Sequence, residues 1–191
     1  MLEPNSINQV ANNFKSMIVS LKKKHKLVLA IVALLSLYLL LIDFSKPLKG
    51  KIDHMVINKK DRELLVFNKN NKLLKKYNVA LGFEPRGKKE IQGDGKTPEG
   101  IYYINDKNPN SVAYKNLGIS YPNSDDLKNS KSLGKPSGGD IKIHGLMKKW
   151  TKFGRLHRFI DWTAGCIAVS NSEMEELYKN VPIGTKIIIN P

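Results

Sequence analysis

The single cysteine of this 191-residue chain, Cys166, lies in the stretch DWTAGCIAVSN, residues 161–171. A cysteine becomes a nucleophile when a base takes its proton, because a thiol with a pKa near ~8.5 is only slightly ionised at neutral pH. The preceding Gly165 permits a tight turn, and backbone N–H groups of such a turn can stabilise an oxyanion. These residues suggest nucleophilic catalysis through a tetrahedral intermediate. The alternative is that Cys166 is only a small, packed apolar side chain.

Four histidines could supply the base. His144 ends a predicted strand and precedes Gly145, a strand-to-loop position from which a side chain can face a site, so it is the better candidate. His157 lies nine residues before the cysteine, between two arginines, and is either a second contributor or a surface residue of a basic loop. His25 belongs to the cytoplasmic tail predicted below, and His54 opens the first predicted strand without an evident relation to the thiol.

The chemistry suggested by these residues needs no metal. The histidines show none of the short spacings typical of zinc ligands, such as HxxxH or CxxC, so the sequence predicts no metal and no other cofactor. The surroundings of the cysteine also lack the papain-type and caspase-type signatures, which argues against an ordinary cysteine protease.

Short β-type runs separated by turns must position these residues, so the sequence predicts a mainly β (α+β) domain with one or two short helices. A capping box, Ser170 to Glu173, predicts a short helix that stops before Pro182. Residues 106–139, rich in Asn, Ser, Pro and Gly, suggest long loops around one short strand. The predicted strands are 55–58, 63–68, 73–81, 101–105, 117–121, a strand ending at His144, and 184–190.

An apolar run of sixteen residues without a charge, residues 27–42, follows a basic cluster at residues 22–26. As a helix it would measure roughly 24 Å, a little less than the ~30 Å hydrocarbon core, so flanking aromatic and lysine side chains would complete the span. We predict an uncleaved transmembrane anchor. A cleaved signal peptide and a core helix are the alternatives, disfavoured by the polar leader and by the absence of a small-x-small cleavage site.

Lysines are more frequent before this apolar run than after it, which predicts a cytoplasmic N-terminus. The chain then divides into a cytoplasmic tail (1–26), the anchor (27–42), a linker (43–52) and an exported catalytic domain (53–191). The predicted location is the inner or cytoplasmic membrane, single-pass, with the domain extracytoplasmic, periplasmic or facing the wall. An exported domain with one cysteine cannot form an internal disulfide, so the thiol must be buried or used.

Residues 51–191 carry 25 Lys and Arg against 15 Asp and Glu. This excess suggests an anionic neighbour such as a wall polymer or phospholipid headgroups, although scattered solvated lysines explain it equally well. Nucleic acid is not an expected partner, because the basic residues are not interleaved with aromatic ones and no nucleic-acid-binding motif occurs.

Three separated motifs, TPEGIY (97–102), IHG (143–145) and DWTAGCIAVSN (161–171), occur in this order ahead of a short helix and GTKIIINP. In this order they resemble the L,D-transpeptidase catalytic domain, the YkuD-type family of peptidoglycan enzymes. The resemblance covers roughly residues 53–190. It implies an L,D-transpeptidase-like β-sandwich, here preceded by the single transmembrane helix.

The resemblance also implies roles for individual residues. Cys166 would be the acylated nucleophile, and His144 the general base, oriented through a neighbouring backbone carbonyl. Gly165 and Cys166 would supply the backbone oxyanion donors. The commoner family motif is Ser-His-Gly-Cys-x-Arg, so the TAGCIA of residues 163–168 lacks both the second histidine and the arginine. The chain instead resembles a branch written DWTxGCIA, some of whose members detach or hydrolyse.

Further residues are accessory candidates. His157 could supply the imidazole that the motif lacks. Asp161 and Trp162 are expected to shape the loop, and Trp162 could also pack against substrate. Thr163 and Gly145 complete the set of accessory or substrate-binding candidates.

The function that the resemblance implies is that of a membrane-anchored L,D-transpeptidase acting on peptidoglycan stem peptides. Its thioester would form at the bond between an L-diamino acid and D-Ala, and an amine of another stem or of a wall-attached lipoprotein would resolve it. The alternatives are a hydrolase of the same family, either an L,D-carboxypeptidase or an amidase that detaches a wall-linked protein, and a catalytically dead wall-binding module. A role in cell shape would fit the enzyme.

Overall fold

The computed structural model describes residues 21–36, 38 and 46–191. The chain divides into two units, residues 1–44 and 45–191. The described part of the first unit is a helix, α1, over residues 21–36 and 38, with exposed side chains. No helix within the described ranges combines the length and the apolar character needed to cross a membrane. Residues 1–20 of the predicted tail, 37 and 39–42 of the predicted anchor, and 43–45 of the linker lie outside the described residues, and the anchor stays a prediction.

The second unit is built mainly of strands, with two short α-helices and one 3₁₀ segment. The helices are α2 (Ser124–Ser132) and α3 (Asn171–Asn180), and the 3₁₀ segment is Lys148–Phe159. The strands are β1 (His54–Asn58), β2 (Glu63–Phe67), β3 (Leu73–Asn78), β4 (Gly100–Ser111), β5 (Tyr114–Ile119), β6 (Lys142–His144), β7 (Ile167–Ala168) and β8 (Lys186–Asn190).

The eight strands follow the order β3-β2-β1-β8-β4-β5-β6-β7. The C-terminal strand β8 therefore lies in the middle, parallel to β1 and antiparallel to β4. β4 belongs to both halves of the sheet, since its first residues pair with β8 and its later ones with β5. Irregularities in the β4–β5 register let the long strand bend between the two halves, as bulges do.

The segment that leaves β3 joins the two ends of this series. Ala80 and Ala168 exchange backbone hydrogen bonds of 3.0 and 2.8 Å, and the N–H of Phe83 donates to the carbonyl of Thr163 at 2.9 Å. The sequence predicts a β-sandwich. In the structure, hydrogen bonds link the eight strands into a single series, and the Ala80–Ala168 bridge joins the β3 end of that series to the β7 end. The strand that follows Cys166 lies at this closure.

The core of the second unit lies entirely within residues 48–189. Strands β1 and β2 alternate between fully buried and half-buried side chains, as period-2 patterns require. From α3, Met174 and Leu177 are fully buried against the strands. Because all strands and all core residues lie in one piece of chain, residues 46–191 are expected to fold on their own.

Local signals placed several elements correctly, and the short strand predicted at 117–121 overlaps β5, but the long loops predicted for the rest of residues 106–139 were wrong. The predicted helix after Ser170 is confirmed as α3, with both hydrogen bonds of the capping box in place. Residues 106–139 instead hold the end of β4, all of β5 and helix α2. The Asn- and Ser-rich composition concealed a second capping box, in which the Asn123 side chain and Asp126 bond each other's backbone.

Candidate active site

Strands β6 and β7 bring His144 and Cys166 to one pocket. The two strands are parallel, with Ile143 opposite Ile167 and His144 opposite Ala168, so Cys166 lies beside Lys142. Lys142 and His144 are two positions apart in β6 and share one face of the strand, which brings the histidine and the cysteine to the same face. The pocket has a volume of about 320 Å³. Besides His144 and Cys166, its lining comprises Ser111, Val112 and Ala113 from the β4–β5 connection together with Asp140, Lys142, Met147, Trp162, Thr163 and Ala164.

The hydrogen bond of His144 identifies its basic nitrogen. Its Nδ1 lies 2.7 Å from the carbonyl oxygen of Gly145. Because a carbonyl oxygen only accepts hydrogen bonds, Nδ1 must carry the proton, which leaves Nε2 with the lone pair of a base. The side chain is buried, and this burial lowers the pKa of His144 below its usual value. The imidazole is therefore neutral at neutral pH and ready to accept a proton.

Cys166 is half-buried and uncharged at rest. Its Sγ donates a weak hydrogen bond, 3.6 Å long, to the carbonyl of Asp140. Burial raises the pKa of the Cys166 thiol, and this outweighs the opposing effect of a backbone hydrogen bond from Lys142. In the part of the chain that the structure covers, no hydrogen bond joins Cys166 to His144. The resting pair is thus a neutral thiol and a neutral imidazole, so attack by this thiol on a substrate would require a proton transfer to the imidazole.

The turn before the nucleophile depends on Gly165 and Thr163. Gly165 has a φ of +129°, and a Cβ there would lie 2.6 Å from the carbonyl oxygen of Lys96. The Thr163 hydroxyl donates to the Cys166 carbonyl at 2.6 Å and accepts from the Gly165 N–H at 3.1 Å. The Gly165 N–H is therefore already occupied, whereas that of Cys166 donates no hydrogen bond to any described residue. Of the two backbone groups expected as oxyanion donors, the Cys166 N–H is the available one.

Trp162 links the base to the other candidate histidine. Its ring lies edge-on to His144, with centroids 5.7 Å apart, and edge-on to His157 at 6.4 Å. The indole Nε1 also donates a long hydrogen bond of 3.5 Å to His157 Nδ1. His157 is buried but is not part of the pocket lining. The geometry thus favours a supporting contact with Trp162 over a direct contribution of the His157 imidazole.

Asp161 and Gly145 do not line the pocket but hold the loops around it in place. The Asp161 carboxylate accepts hydrogen bonds from Arg62 Nη2 at 2.7 Å and from the Leu81 backbone N–H at 2.9 Å. It therefore connects the loop before Cys166 to the segment that follows β3. A Cβ on Gly145 would lie 2.7 Å from Asn171 Oδ1. That oxygen accepts the Leu146 N–H at 2.7 Å, so glycine allows the start of α3 to approach the loop after β6.

Sequence reasoning missed the charged pair at the pocket wall. Lys142 Nζ lies 2.6 Å from Asp140 Oδ1, and both residues line the pocket. A signal was present, because Lys142 and His144 are two positions apart in one strand and so point to the same face. The β4–β5 connection carries no comparable signal, since only tertiary folding brings Val112 to the nucleophile. No group of three or more His, Cys, Asp or Glu is placed to hold a metal ion among the residues described.

Comparison with known proteins agrees with this geometry. The family model for the YkuD L,D-transpeptidase catalytic domain matches residues 52–189. YqjB of Bacillus subtilis, whose name describes it as an L,D-transpeptidase, is 28% identical over 146 residues, covering 76% of this chain and 74% of YqjB. YafK of Escherichia coli K12, named in the same way, is 27% identical over 144 residues, covering 73% of this chain and 51% of YafK.

A solved structure shows the same fold. The helical cell shape determining protein Pgp2 from Campylobacter jejuni superposes with a TM-score of 0.54 and 28% identity, covering 78% of this chain and 52% of that one. The chain thus spans about three-quarters of the length of YqjB and about half the lengths of YafK and Pgp2.

Proposed function

Because the chain belongs to the family of YkuD L,D-transpeptidase catalytic domains, we propose that it is an active, cysteine-dependent acyltransferase acting on peptidoglycan stem peptides. One observation carries the proposal: Cys166 and His144 line one pocket, and the Gly145 carbonyl leaves Nε2 of the histidine unprotonated. The family supplies the substrate class, and the pocket supplies a nucleophile and a base with the correct tautomer.

The acylation step uses groups that meet in the pocket. Sγ of Cys166 attacks the carbonyl carbon between the L-centre of the diamino acid at stem position three and the D-Ala at position four. Nε2 of His144 accepts the thiol proton as the C–S bond forms. The Cys166 N–H stabilises the oxyanion of the tetrahedral intermediate. The intermediate then expels D-Ala, whose amine receives the proton from His144, and a thioester remains.

A second nucleophile resolves the thioester. In transpeptidation, the amine of another stem or of a wall-attached lipoprotein attacks, passes a proton to His144 and releases the thiol. In hydrolysis, water does the same and yields a shortened stem, or a detached protein when the thioester came from a wall-linked one. Which acceptor prevails depends on whether an amine reaches the thioester before water does. We propose transpeptidation first. Hydrolysis is the alternative, because the TAGCIA motif lacks the histidine and arginine of the commoner form.

The proposed setting is the outer side of the cytoplasmic membrane. Residues 27–42 would anchor the chain by a single span and keep the domain that begins at residue 53 close to newly made wall. Pgp2, a similar protein, is a determinant of helical cell shape. On that similarity we extend the proposal to a role in cell shape.

The decisive experiment is mass analysis of a purified disaccharide-tetrapeptide incubated with residues 46–191. Transpeptidation predicts a dimer with loss of one alanine, and carboxypeptidase action predicts the shortened monomer. Cys166→Ala should abolish both products, and His144→Ala should lower the rate by about 100-fold or more. His54→Ala is the matched control, because His54 stacks on Phe67 outside the pocket and should not affect turnover.

Two outcomes would contradict the proposal. Unchanged substrate with the folded wild-type domain, together with binding to intact peptidoglycan, would assign the chain to the wall-binding alternative. Equal turnover by wild type and His144→Ala would remove the histidine from the mechanism.

A further inference from the structure

The 3₁₀ segment and the residue after it present a row of exposed apolar side chains. Trp150 is 39% exposed, Phe153 48%, Phe159 70% and Ile160 71%. Trp150 and Phe153 contact each other, with ring centroids 5.3 Å apart. Four large apolar side chains exposed within eleven positions are unusual on a soluble surface and are typical of an interaction site.

Residues of the second stretch fix the segment to the domain. His157 is buried, and Arg155 Nη2 lies 3.2 Å from Oε1 of the buried Glu173 in α3. A kink at Gly154, with a φ of +46°, separates the two short 3₁₀ stretches. The segment is therefore held on the domain through its second stretch, while residues 148–153 and 159–160 are exposed.

The exposed part of the segment is also strongly basic. Residues 141–160 contain six Lys and Arg and no acidic residue. Lys148, Lys149, Lys152 and Arg158 form no ion pair with any described residue. Two cations lie beside exposed rings: Lys149 Nζ is 5.9 Å from the Trp150 ring centroid, and the Arg158 guanidinium is 6.0 Å from that of Phe159. Rings flanked by cations suit a membrane interface, where the rings enter the acyl boundary and the cations reach lipid phosphates.

We propose that the face formed by Trp150, Phe153, Phe159, Ile160 and the four cations, here called the basic aromatic face, binds an anionic phospholipid surface. The exposed Phe159 and Ile160 favour lipid over a hydrophilic wall polymer. An apolar side chain gains little binding free energy from a polyanion, but it gains free energy when it leaves water for the acyl boundary.

Membrane binding through this face would hold the catalytic pocket at the interface. Met147, the residue before the segment, lines the pocket. Trp150 stacks on the pocket residue Trp162 at 6.3 Å. Stem peptides close to the membrane would therefore be the ones presented to Cys166. Binding through this face does not require the predicted anchor.

The test is cosedimentation of residues 46–191 with vesicles, which avoids the apolar run at residues 27–42. Vesicles of phosphatidylglycerol mixed with phosphatidylcholine should bind the domain, and vesicles of phosphatidylcholine alone should bind it at least about ten-fold more weakly. Tryptophan emission should shift to shorter wavelength on binding, because Trp150 would leave water. The measurement involves no turnover, so its failure and the failure of the proposed function are distinguishable.

Matched variants separate insertion from charge. F159S/I160S should weaken binding by about ten-fold or more, whereas Ile183→Ser, which removes another exposed apolar side chain (61%), should not. K148Q/K149Q should weaken binding more than K69Q/K72Q, which removes two exposed lysines elsewhere. Equal melting temperatures would show that each variant is folded.

Three results would overturn the inference. Binding that F159S/I160S leaves unchanged would reduce it to general charge attraction. Binding to intact peptidoglycan but not to anionic vesicles, lost in the same variant, would assign the face to a wall polymer. Absence of binding to both would leave the face without a role in surface attachment.

Discussion

At Cys166 and His144, burial disfavours the charged form of each side chain. It raises the pKa of Cys166 and lowers that of His144, so a thiolate–imidazolium pair is disfavoured in the free protein. The thiol of the resting domain is therefore little ionised. A weakly ionised thiol reacts slowly with oxidants.

Alkylation of Cys166 by iodoacetamide should report this neutral resting state. We expect the rate to rise about ten-fold per pH unit up to and beyond pH 9, without a plateau near neutrality. The denatured domain provides the reference for an ordinary thiol, and Cys166→Ala provides the background. A rate that stayed constant from acidic to neutral pH would instead indicate a preformed ion pair.

His157 should make the domain less stable in mild acid. Burial lowers the pKa of His157 to about 4, so between about pH 6.5 and pH 4 the unfolded chain binds a proton that the folded domain does not. Stability therefore falls as pH decreases through this window, by at most about 3 kcal/mol for this residue. His144, also buried with a lowered pKa, adds to the same trend.

Urea unfolding at pH 7 and pH 5 measures the effect. His157→Gln should reduce the difference in unfolding free energy between the two pH values. An undiminished pH dependence in His157→Gln would mean that this histidine is protonated in the folded domain.

At the scale of the elements, the nucleophile turn is shaped by a neighbouring loop as much as by its own residues. The Lys96 carbonyl comes so close to Gly165 that no side chain fits between them. That loop is held by Asp94, which bonds Lys89 and three backbone N–H groups and whose pKa is lowered by these bonds against the effect of burial. The loop of residues 89–96 thus supports the site.

Gly165→Ala tests this close approach. A positive φ alone costs about 1 kcal/mol for a residue with a Cβ, and the contact with Lys96 adds to it, so we expect a loss of about 3 kcal/mol in unfolding free energy. Gly184→Ala is the control, since Gly184 has a φ of +85° and open space around it, and should lose only about 1 kcal/mol. Equal losses in the two variants would exclude the steric contribution of the loop.

Elements with local signals were predictable, and elements that depend on distant contacts were not. The capping box at Ser170 and the alternation in β1 depend on consecutive residues. Cys166 was proposed as the single cysteine in a Gly-Cys turn, His144 from its position at a strand end, and motif order added the family resemblance. The 3₁₀ segment has no such signal, because His157 is buried only after folding brings Trp162 against it. The occupied Gly165 N–H was equally hidden, since it depends on how the Thr163 side chain turns.

At the scale of the whole molecule, the core residues and strands of the described part of the chain all belong to residues 48–190. Removal of residues 1–45 should therefore leave thermal unfolding cooperative, with a melting temperature within about 2 °C of that of the full chain in detergent. Differential scanning calorimetry of both proteins provides the comparison. A drop of about 10 °C or more would mean that the N-terminal unit contributes to the core.

The placement of β8 between β1 and β4 has a consequence for biosynthesis. Ribosomes deliver these five residues long after β1 and β4, yet they pair with these two strands, which start at residues 54 and 100. Until they arrive, β1 and β4 each present an open edge with unpaired backbone groups. A stop codon before Lys186 would therefore divide the sheet at its centre, and the sheet of the nascent domain cannot close before β8 has been made.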